Sequence, residues 1–287
     1  DGKKIDEGGA ANILPDPESR KIWTNTSKEQ EMVTFESGAS ATSFDVPEDD
    51  FDYTYKWSIG IDVDNSVFDE DSDEFNVVNR DAIGDPLHSE PVIVTYGTIG
   101  GDTDKPDSTI FFGTNEGFIH AINTDTGVEE FAFIPRDLHK TQKIYFNNNS
   151  PVADKPYGMD GKITSWFQDR NQNSILDLSD NERIYLYSGM RRGGRNYYGL
   201  DVSDRDKPGM LFEILGGTVG GEFEELGQTW SGMTVARVFV KDPNGSGKIE
   251  KDVLIFGGGY DENQDLDSPA LGSDEMGRAI YIVDAES

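Results

Sequence analysis

Short apolar runs separated by polar corners recur along the second half of the chain. The first set comprises residues 109–113, 118–123 and 128–134, with residues 90–94 as a candidate strand before it. The connections at 114–117 and 124–127 are rich in Asn, Asp, Thr and Gly, which tight antiparallel turns require. The pattern therefore predicts a meander of four antiparallel strands.

The same pattern occurs twice more. The second set has strands at residues 162–167, 184–189, 197–201 and 210–214, and the third has them at 234–240, 253–257 and 279–284. Tandem units of four short strands are typical of β-propeller blades. The third unit stops before a fourth strand, and known propellers have about four to eight blades. We therefore predict an all-β propeller of which residues 81–287 carry about three blades, the last one truncated, as a partial ring.

Residues 1–80 lack this repeat. They include the aromatic stretch FDYTYKW at residues 51–57 and an acidic stretch without basic residues at 62–74. We interpret residues 1–80 as a mixed β segment that leads into the propeller. A concentrated run of like charge predicts a solvated loop at 62–74 and not a part of the core.

The overall charge narrows the classes of partner. Lys and Arg number 25 against 55 Asp and Glu, a net charge of -30. This charge repels nucleic acid and anionic lipid, and it attracts cations, above all divalent ones. A solvated acidic surface in a salt-adapted organism would produce the same composition, and both interpretations can hold together.

Three absences in the sequence limit the chemistry. The chain has no cysteine, which excludes disulfides and thiolate metal sites without deciding the compartment. No run of about 18 apolar residues occurs, so we expect no membrane-spanning helix. The first residues, DGKK, are not a signal peptide, and the sequence has the character of a fragment.

Several short motifs in a fixed order carry a family resemblance. They are IGDPLHSEPV at 83–92, GTNEGFIHAIN at 113–123, TG at 126–127, FAFIP at 131–135, GGRNYYGLDV at 193–202 and FGGGY at 256–260. In this order they resemble the C-terminal propeller of the PilY family, the type IV pilus biogenesis factors and tip adhesins. Upstream, GGAA at 8–11, LP at 14–15 and RKIWT at 20–24 are similar to the family's lead-in to that domain.

The resemblance covers nearly the whole chain and implies a location outside the cell, at the pilus tip or outer membrane. It implies pilus subunits or minor pilins as partners, with the host or abiotic surface ligand unknown. The implied role is to support pilus assembly, adhesion, surface sensing and twitching motility. The large N-terminal region of the relatives, which often has a von Willebrand-like domain, has no counterpart in this sequence.

The sharpest candidate site is the stretch DRNQNSILDLSD at residues 169–180. Its spacing places oxygen-bearing side chains at loop positions 1, 3, 5, 9 and 12, and a main-chain carbonyl at position 7. The candidate ligands are Asp169, Asn171, Asn173, Asp177, Asp180 and the carbonyl of Ile175. Calcium takes about six to eight oxygen ligands, and this spacing wraps a loop around such an ion. The sequence therefore predicts a calcium site, in which Leu176 at position 8 attaches the loop to the protein.

The loop departs from the usual calcium-loop pattern at two positions. Position 6 is Ser174 instead of glycine, although a positive φ is expected there, and position 12 is Asp180 instead of glutamate. The resemblance implies Asp169, Asn171, Asn173, the carbonyl of Ile175 and Asp177 as ligands, whereas Asp180 follows from the spacing alone. The alternative is a polar, Asx-rich turn between two strands.

Other acidic stretches are weaker candidates for cation binding. Residues 242–250 keep alternate oxygens, but Ser246 and Lys248 make a glycine turn the better interpretation. A second cation could lie in the acidic stretch, held by Asp62, Asp64 and Ser66 or by Asp69, Asp71 and Asp73. A further set follows Tyr260, at Asp261, Asn263, Asp265 and Asp267.

Catalytic constellations are poorly supported, so we expect no enzyme and no catalytic residue. The three histidines are His88, His120 and His139; the neighbours His88 and Ser89 do not make a triad by adjacency, and His120 is expected to pack within a strand. The 55 acids always offer pairs for glycoside hydrolysis, but nothing selects one pair. The basic cluster RRGGR at 191–195 is interpreted as a hairpin corner with local ion pairs, or else as a grip for an acidic partner.

Two other classes of function stay open at this point. The blades also resemble those of quinoprotein dehydrogenases, but that cofactor needs a complete ring, and many such enzymes use a vicinal disulfide that a chain without cysteine cannot form. A quinoprotein or glycosidase propeller is therefore one alternative, and a carbohydrate-binding adhesin module unrelated to pili is the other.

Overall fold

The computed structural model describes residues 9–28, 30–64, 66–69, 74–148, 151, 155–265 and 275–287, with only the backbone described at 67–69 and 74–76. The strands in these ranges are β1 Ile22–Asn25, β2 Met32–Thr34, β3 Val67–Asp69, β4 Glu74–Asn76, β5 Val92–Thr98, β6 Pro106–Gly113, β7 Ile119–Asn123, β8 Glu129–Phe133, β9 Ile163–Phe167, β10 Ile184–Gly189, β11 Tyr197–Asp201, β12 Gly209–Ile214, β13 Thr234–Lys241, β14 Lys248–Gly258 and β15 Gly277–Asp284. The helices are α1 Phe35–Gly38, α2 Ala41–Phe44, α3 Glu48–Ile59 and α4 Gln142–Asn147.

The three predicted units form three separate sheets. Strands β5–β8, β9–β12 and β13–β15 each pair with their chain neighbours in antiparallel register. All the strands predicted within the units are present, and the third sheet has three strands, as expected. The all-β class with mostly antiparallel sheets is confirmed. The described ranges contain no closed ring, so the propeller stays a prediction.

Local turn chemistry explains why these strands reverse where they do. Between β7 and β8, the Asn123 side chain accepts hydrogen bonds from the backbone N–H groups of Asp125 and Thr126, both at 3.0 Å. Gly127 then has a φ of 74°, a left-handed conformation that glycine adopts at little cost. The Asn and Gly residues thus fix the corner that the sequence predicted.

The sheets stack face to face in chain order around two apolar cores. One core joins the first sheet to the second and includes Phe111, Phe131 and Leu186. The other joins the second sheet to the third and includes Tyr187 and Phe256. Because successive strand residues point to opposite faces, Leu186 and Tyr187 in β10 serve different cores. The second sheet is therefore buried on both faces.

Glycine allows the backbone to make close contacts at two places, one between the first two sheets and one within the second. A Cβ atom on Gly113 would lie 2.1 Å from the carbonyl oxygen of Met159, and one on Gly161 would lie 2.2 Å from that of Gly189. No side chain can occupy either space. These contacts join the end of β6 to the segment before β9, and the start of β9 to the end of β10.

The segment before residue 80 contains helices that the mixed β interpretation did not include. The stretch 51–57 lies within α3, not in a strand. Pro47 precedes the helix, three acidic residues occupy its first turn, and Gly60 ends it with a φ of 112°. Phe51 and Tyr55, one turn apart, pack against each other at 5.9 Å between ring centroids. The residues at its two ends therefore indicate the structure of this stretch better than its aromatic content does.

The same segment extends the first sheet. Strand β1 pairs in parallel with β8 through Ile22 and Trp23, and it pairs in antiparallel register with β2. The six strands run in the order β2-β1-β8-β7-β6-β5. Residues 1–80 are thus a structural part of the first sheet where the structure describes them.

The acidic stretch is not a simple loop. Strands β3 and β4 form an antiparallel pair within and beside it, and Ser66 is buried. The Ser66 hydroxyl donates to the carbonyl of Asp62 at 2.7 Å and accepts the N–H of Val78 at 2.9 Å. The prediction of loop structure at 62–74 is therefore wrong for the strand residues. Residues 65 and 70–73 lie outside the described part of the chain.

Two buried polar contacts attach the lead-in segment to the first sheet. Arg20 donates to the carboxylate of Glu129 at 2.7 and 2.9 Å, and His120 Nδ1 lies 2.7 Å from the same carboxylate. His139 Nε2 lies 2.8 Å from the hydroxyl of Thr24, with Nδ1 3.0 Å from that of Ser43. Burial lowers the pKa of His139 to about 3, with a smaller contribution from Arg136, so His139 is neutral in the folded protein.

Candidate metal site

The predicted calcium loop connects β9 to β10 at one end of the second sheet. Asp169 lies two residues after the end of β9, and Asp180 lies four residues before the start of β10. The backbone N–H of Leu176 donates to the carbonyl of Tyr96 in the first sheet at 2.9 Å, and its side chain packs against the first core. The expected attachment through Leu176 is confirmed.

Alternate side-chain oxygens turn back onto the backbone of this loop. Asp169 accepts the N–H groups of Asn173 at 3.2 Å and Ser174 at 2.8 Å. Asn171 Oδ1 also accepts the N–H of Asn173, at 3.0 Å, and Asn173 Oδ1 accepts that of Ile175 at 2.8 Å. These shared donors bring Asp169, Asn171 and Asn173 together around one turn of chain.

The later predicted ligands divide into two groups. Asp180 joins the first three residues, because its carboxylate accepts a hydrogen bond from Asn171 Nδ2 at 3.3 Å. Asp177 instead accepts the hydroxyl of Ser179 at 2.6 Å and its N–H at 2.8 Å, and these bonds lower the pKa of Asp177. The backbone N–H of Asp180 also donates to the carbonyl of Asp177 at 3.2 Å, but in the described part of the chain no hydrogen bond connects Asp177 to Asp169, Asn171 or Asn173. Over the same ranges, no three acidic or histidine side chains form a group that could hold a metal ion.

The backbone has the conformation that a calcium loop requires at position 6. Ser174 has a φ of 59° and Gln172 one of 60°, both in the left-handed region. Residues other than glycine adopt it at a cost of about 1–2 kcal/mol each. The positive φ expected at Ser174 is confirmed.

Sequence reasoning missed the residue that organises the loop, Glu182. Its buried carboxylate accepts three backbone N–H groups: those of Arg170 at 2.9 Å, Asn171 at 3.2 Å and Asp177 at 2.9 Å. These donors lie at both ends of the loop, so one side chain holds the two ends together. The available signal was an acid two residues before a strand that begins with the largely apolar run IYLY, a place where a solvated acid is not expected.

Comparison with known proteins supplies the family context. The type IV pilus biogenesis factor PilY1 of Pseudomonas aeruginosa strain UCBPP-PA14 is 27% identical over 234 residues, which cover 71% of this chain and 17% of that protein. The PilY1 homolog of Xylella fastidiosa is 26% identical over 172 residues, which cover 54% of this chain and 13% of that protein. The predicted resemblance to the PilY family is confirmed.

The matched region is a small part of each of these relatives. The chain spans less than a fifth of the length of these relatives. A solved structure, the PilY1 C-terminal domain of Pseudomonas aeruginosa, is 25% identical and covers 63% of this chain and 28% of that one, with a TM-score of 0.37. No family model matches the chain. No helix in the described ranges is both long and apolar enough to cross a membrane.

The weaker cation candidates of this PilY-like chain are local turns where the structure describes them. Asp242 accepts the N–H of Asn244 at 2.8 Å, in an exposed hairpin between β13 and β14. Asp261 accepts the N–H of Asn263 at 3.0 Å and that of Glu275 at 2.8 Å, and these bonds lower its pKa. Asp267, Asp71 and Asp73 and the side chain of Asp69 lie outside the described residues.

The histidines of this PilY-like chain make structural contacts. His88 Nδ1 lies 2.9 Å from both carboxylate oxygens of the buried Asp160. The neighbouring Ser89 hydroxyl instead accepts the N–H of Gly113 at 2.7 Å, so it does not face His88 as a nucleophile would. His120 packs within β7 and contacts Glu129, as expected.

A carboxylate pair between the first two sheets makes the stability of the protein depend on pH. Burial, followed by the nearby Asp137, raises the pKa of Glu213 to about 7. Because the pKa is raised in the folded state, protonation of Glu213 stabilises the fold. This stabilisation is fully present below about pH 4.5 and is lost as the pH rises through about 7. We expect unfolding experiments in urea to show a loss of about 1–2 kcal/mol from this source between pH 5 and pH 8.

The matched comparison is Glu213→Gln against Glu222→Gln, because Glu222 is exposed. Glu213→Gln should flatten the stability profile over this range, whereas Glu222→Gln should keep the slope of the wild type. An unchanged slope in Glu213→Gln would show that another group titrates there.

Proposed function

We propose that this chain is a calcium-binding, extracellular β-propeller region of a type IV pilus assembly protein or tip adhesin. In this role it supports pilus biogenesis, adhesion and twitching motility through contacts with pilus subunits or minor pilins, without catalysis. The observation that carries the proposal is the loop at residues 169–180, with Asp169, Asn171 and Asn173 turned around one bend in a chain related to PilY1.

The donor chemistry of the loop fits a hard cation. Carboxylates and amide oxygens are the ligands that calcium prefers, and Asp169, Asp180 and two Asn side chains already lie together. Asp177 would complete the set by turning away from Ser179, and the carbonyl of Ile175 would supply the main-chain ligand. Glu182 would hold both ends of the loop in place from behind, without contacting the ion.

The two outer faces of the sheet stack support the propeller part of the proposal. Ile93 on the first sheet is 61% exposed, and Ile280 and Ile282 on the third are 77% and 60% exposed. Ile280 and Ile282 occupy successive positions on one face of β15, and exposed apolar side chains arranged in this way mark a surface that another element covers. In a propeller, a further sheet would pack against each of these faces.

Calcium binding is tested by comparing unfolding in calcium and in chelator. We expect calcium to stabilise the folded protein by about 2.7 kcal/mol at a concentration a hundredfold above Kd, because only the folded loop assembles the ligands. The predicted ligand set suggests a Kd of roughly 10⁻⁶ to 10⁻³ M. The double variant Asp169→Ala, Asp177→Ala should lose the calcium-dependent rise in melting temperature while keeping its fold in chelator.

The control is Asp242→Ala, which removes an acid from the corresponding connection of the third sheet. It should retain the full effect of calcium. Titration calorimetry that gives equal calcium binding in wild type and in the double variant would refute the site. The same substitutions placed in the full-length protein should reduce surface pili and twitching in cells; normal piliation would separate calcium binding from pilus function.

A further inference from the structure

A pocket of about 420 Å³ lies between the first two sheets, at the other end of β10 from the calcium loop. Four segments form its walls: the stretch after β8, the stretch before β9, the turn between β10 and β11, and the stretch after β12 at Gly216. Its charged lining residues are Asp137, Lys140, Arg192 and Arg195. The pocket therefore has more cationic than anionic groups, on a chain whose net charge is -30.

Two of these cations have no ion-pair partner within the described ranges. Arg195 pairs with Glu262 at 3.0 Å, and the carboxylate of Asp137 accepts the Asn196 side chain at 2.6 Å. Arg192 and Lys140 have neither an ion pair nor a side-chain hydrogen bond to any described residue, and both are exposed. With 55 acids available in the chain, two unpaired cations beside one pocket indicate a local site for an anion.

Aromatic rings hold the unpaired arginine in place. The Arg192 guanidinium lies 5.5 Å from the ring centre of Tyr157 and 5.2 Å from that of Trp230. Arg191 lies over the same Trp230 ring at 4.4 Å and pairs with the buried Asp160 at 3.2 Å. Such cation–π contacts restrain a guanidinium and leave its N–H groups free to donate.

The backbone next to Arg192 is also fixed. A Cβ atom on Gly193 would lie 2.0 Å from the carbonyl oxygen of Gly158, so the turn rests directly on the stretch before β9. Arg191 has a φ of 51°, in the left-handed region. Arg192 is therefore presented at the rim of the pocket by a close-fitting turn.

We propose that this pocket binds a carboxylate of an acidic polypeptide segment, with Arg192 as the bidentate donor and Lys140 as the second cation. A planar guanidinium matches a carboxylate through two parallel hydrogen bonds. Stacked sugar ligands fit less well, because Tyr157, the aromatic residue of the pocket lining, already has the Arg192 guanidinium 5.5 Å from its ring centre. The proposal does not depend on calcium, since the pocket and the calcium loop lie at opposite ends of β10.

The test measures binding of tetrapeptide probes to the full chain by titration calorimetry, in chelator and in about 0.15 M salt, where the screening length is about 8 Å. Acetylated tetraglutamate amide carries only side-chain carboxylates, and acetylated tetraglutamine with a free C-terminus carries only the terminal one. Acetylated tetraglutamine amide carries none. We expect a carboxylate-bearing probe to bind and the neutral probe not to bind, and the stronger of the first two identifies the source of the carboxylate.

Substitutions assign the binding to the pocket. Arg192→Gln should weaken binding about tenfold or more, since it removes charge-assisted hydrogen bonds, and Lys140→Gln should weaken it less. Arg237→Gln is the control, because Arg237 is an exposed arginine on the third sheet that pairs with Asp252. Each variant should melt at the temperature of the wild type; if Arg192→Gln fails to fold, Lys140→Gln decides.

Three results would overturn the proposal. One is the absence of binding by either carboxylate-bearing probe. Another is a failure of the variants to locate the site: the wild type and Arg192→Gln bind the peptide equally, or Arg237→Gln loses as much affinity as Arg192→Gln. The third is tighter binding of oligoglucuronate than of both peptides, which would assign the pocket to an anionic sugar.

Discussion

Replacing Arg20 with methionine should lower the free energy of unfolding by about 3–5 kcal/mol. The Arg20 side chain is 4% exposed and that of its partner Glu129 is 1% exposed, so neither charge has water as an alternative partner. Removing the arginine leaves Glu129 as a buried charge whose remaining side-chain partner, among the described residues, is His120. Arg20 also donates to the carbonyl of Ile59 at 2.9 Å, so the change releases the end of α3 as well.

The matched control is Arg237→Met. Arg237 and Asp252 make a similar two-bond contact, at 2.8 and 3.1 Å, but the Arg237 side chain is 62% exposed. Exposed pairs contribute little, so this variant should unfold almost as the wild type does. Equal losses in the two variants, measured by urea unfolding at pH 7, would show that burial does not set the strength of the Arg20 contact.

The ion pair between Arg20 and Glu129 should also affect how the stability of the protein changes in acid. Burial alone would raise the pKa of Glu129, but Arg20 and His120 outweigh it and lower the pKa to about 2. A lowered pKa means that the stabilisation is present above about pH 4.5 and is lost as the pH falls through about 2. The attachment of the lead-in segment to the first sheet is therefore expected to survive mild acid.

The strands of the three units could be predicted because their signals are local. Apolar runs of five to eight residues between Asx and Gly corners determine both the strands and their antiparallel neighbours, as β10 and β11 illustrate. The parallel pairing of β1 with β8 had no such signal. It joins Ile22 to Ala132, more than a hundred residues apart, and depends on contacts such as Arg20 with Glu129.

The helix α3 was missed for a different reason. The stretch 51–57 alternates aromatic and polar residues, as a strand does, but its boundaries carry helix signals: Pro47, the acids at 48–50 and Gly60. The mixed β interpretation of residues 1–80 did not take these boundary residues into account. In the structure Phe51 of α3 contacts Phe44 of α2 at 5.4 Å between ring centroids, so the aromatic side chains of this stretch pack between helices.

The same distinction between local and long-range contacts applies to the candidate sites. Asp169, Asn171 and Asn173 could be predicted, because their oxygens act within a few residues of one another. The pocket at Arg192 could not be predicted, because Tyr157 and Trp230 come from separate connections that only the stacking of the sheets brings together. The sequence showed the basic cluster at 191–195, while the tertiary structure shows that Arg192 is the arginine of this cluster without an ion pair to any described residue.

Glu182→Ala should lower the free energy of unfolding by about 3 kcal/mol in the presence of chelator. Its buried carboxylate accepts the N–H groups of Arg170, Asn171 and Asp177, and a net hydrogen bond to a charged group contributes about 1.5–3 kcal/mol. We expect less than the sum of three such hydrogen bonds, because water can reach part of the loop once the Glu182 side chain is removed. The loss should also separate the two ends of the loop, since no other side chain is found to bridge them through both Arg170 and Asp177 in the described ranges.

A loop without this anchor should bind calcium more weakly, although Glu182 is not a predicted ligand. A cation that needs one loop conformation binds with an affinity reduced by the fraction of molecules in that conformation. Glu182→Gln is the graded comparison, because an amide keeps one acceptor oxygen and the size of the side chain; it should fall between wild type and Glu182→Ala in both stability and calcium affinity. Asp180→Ala is the opposite case: it should change stability little in chelator, since Asp180 accepts only a 3.3 Å bond from Asn171, yet reduce calcium affinity directly. If Glu182→Ala unfolds as the wild type does in chelator and binds calcium equally, the loop is held by something other than this carboxylate.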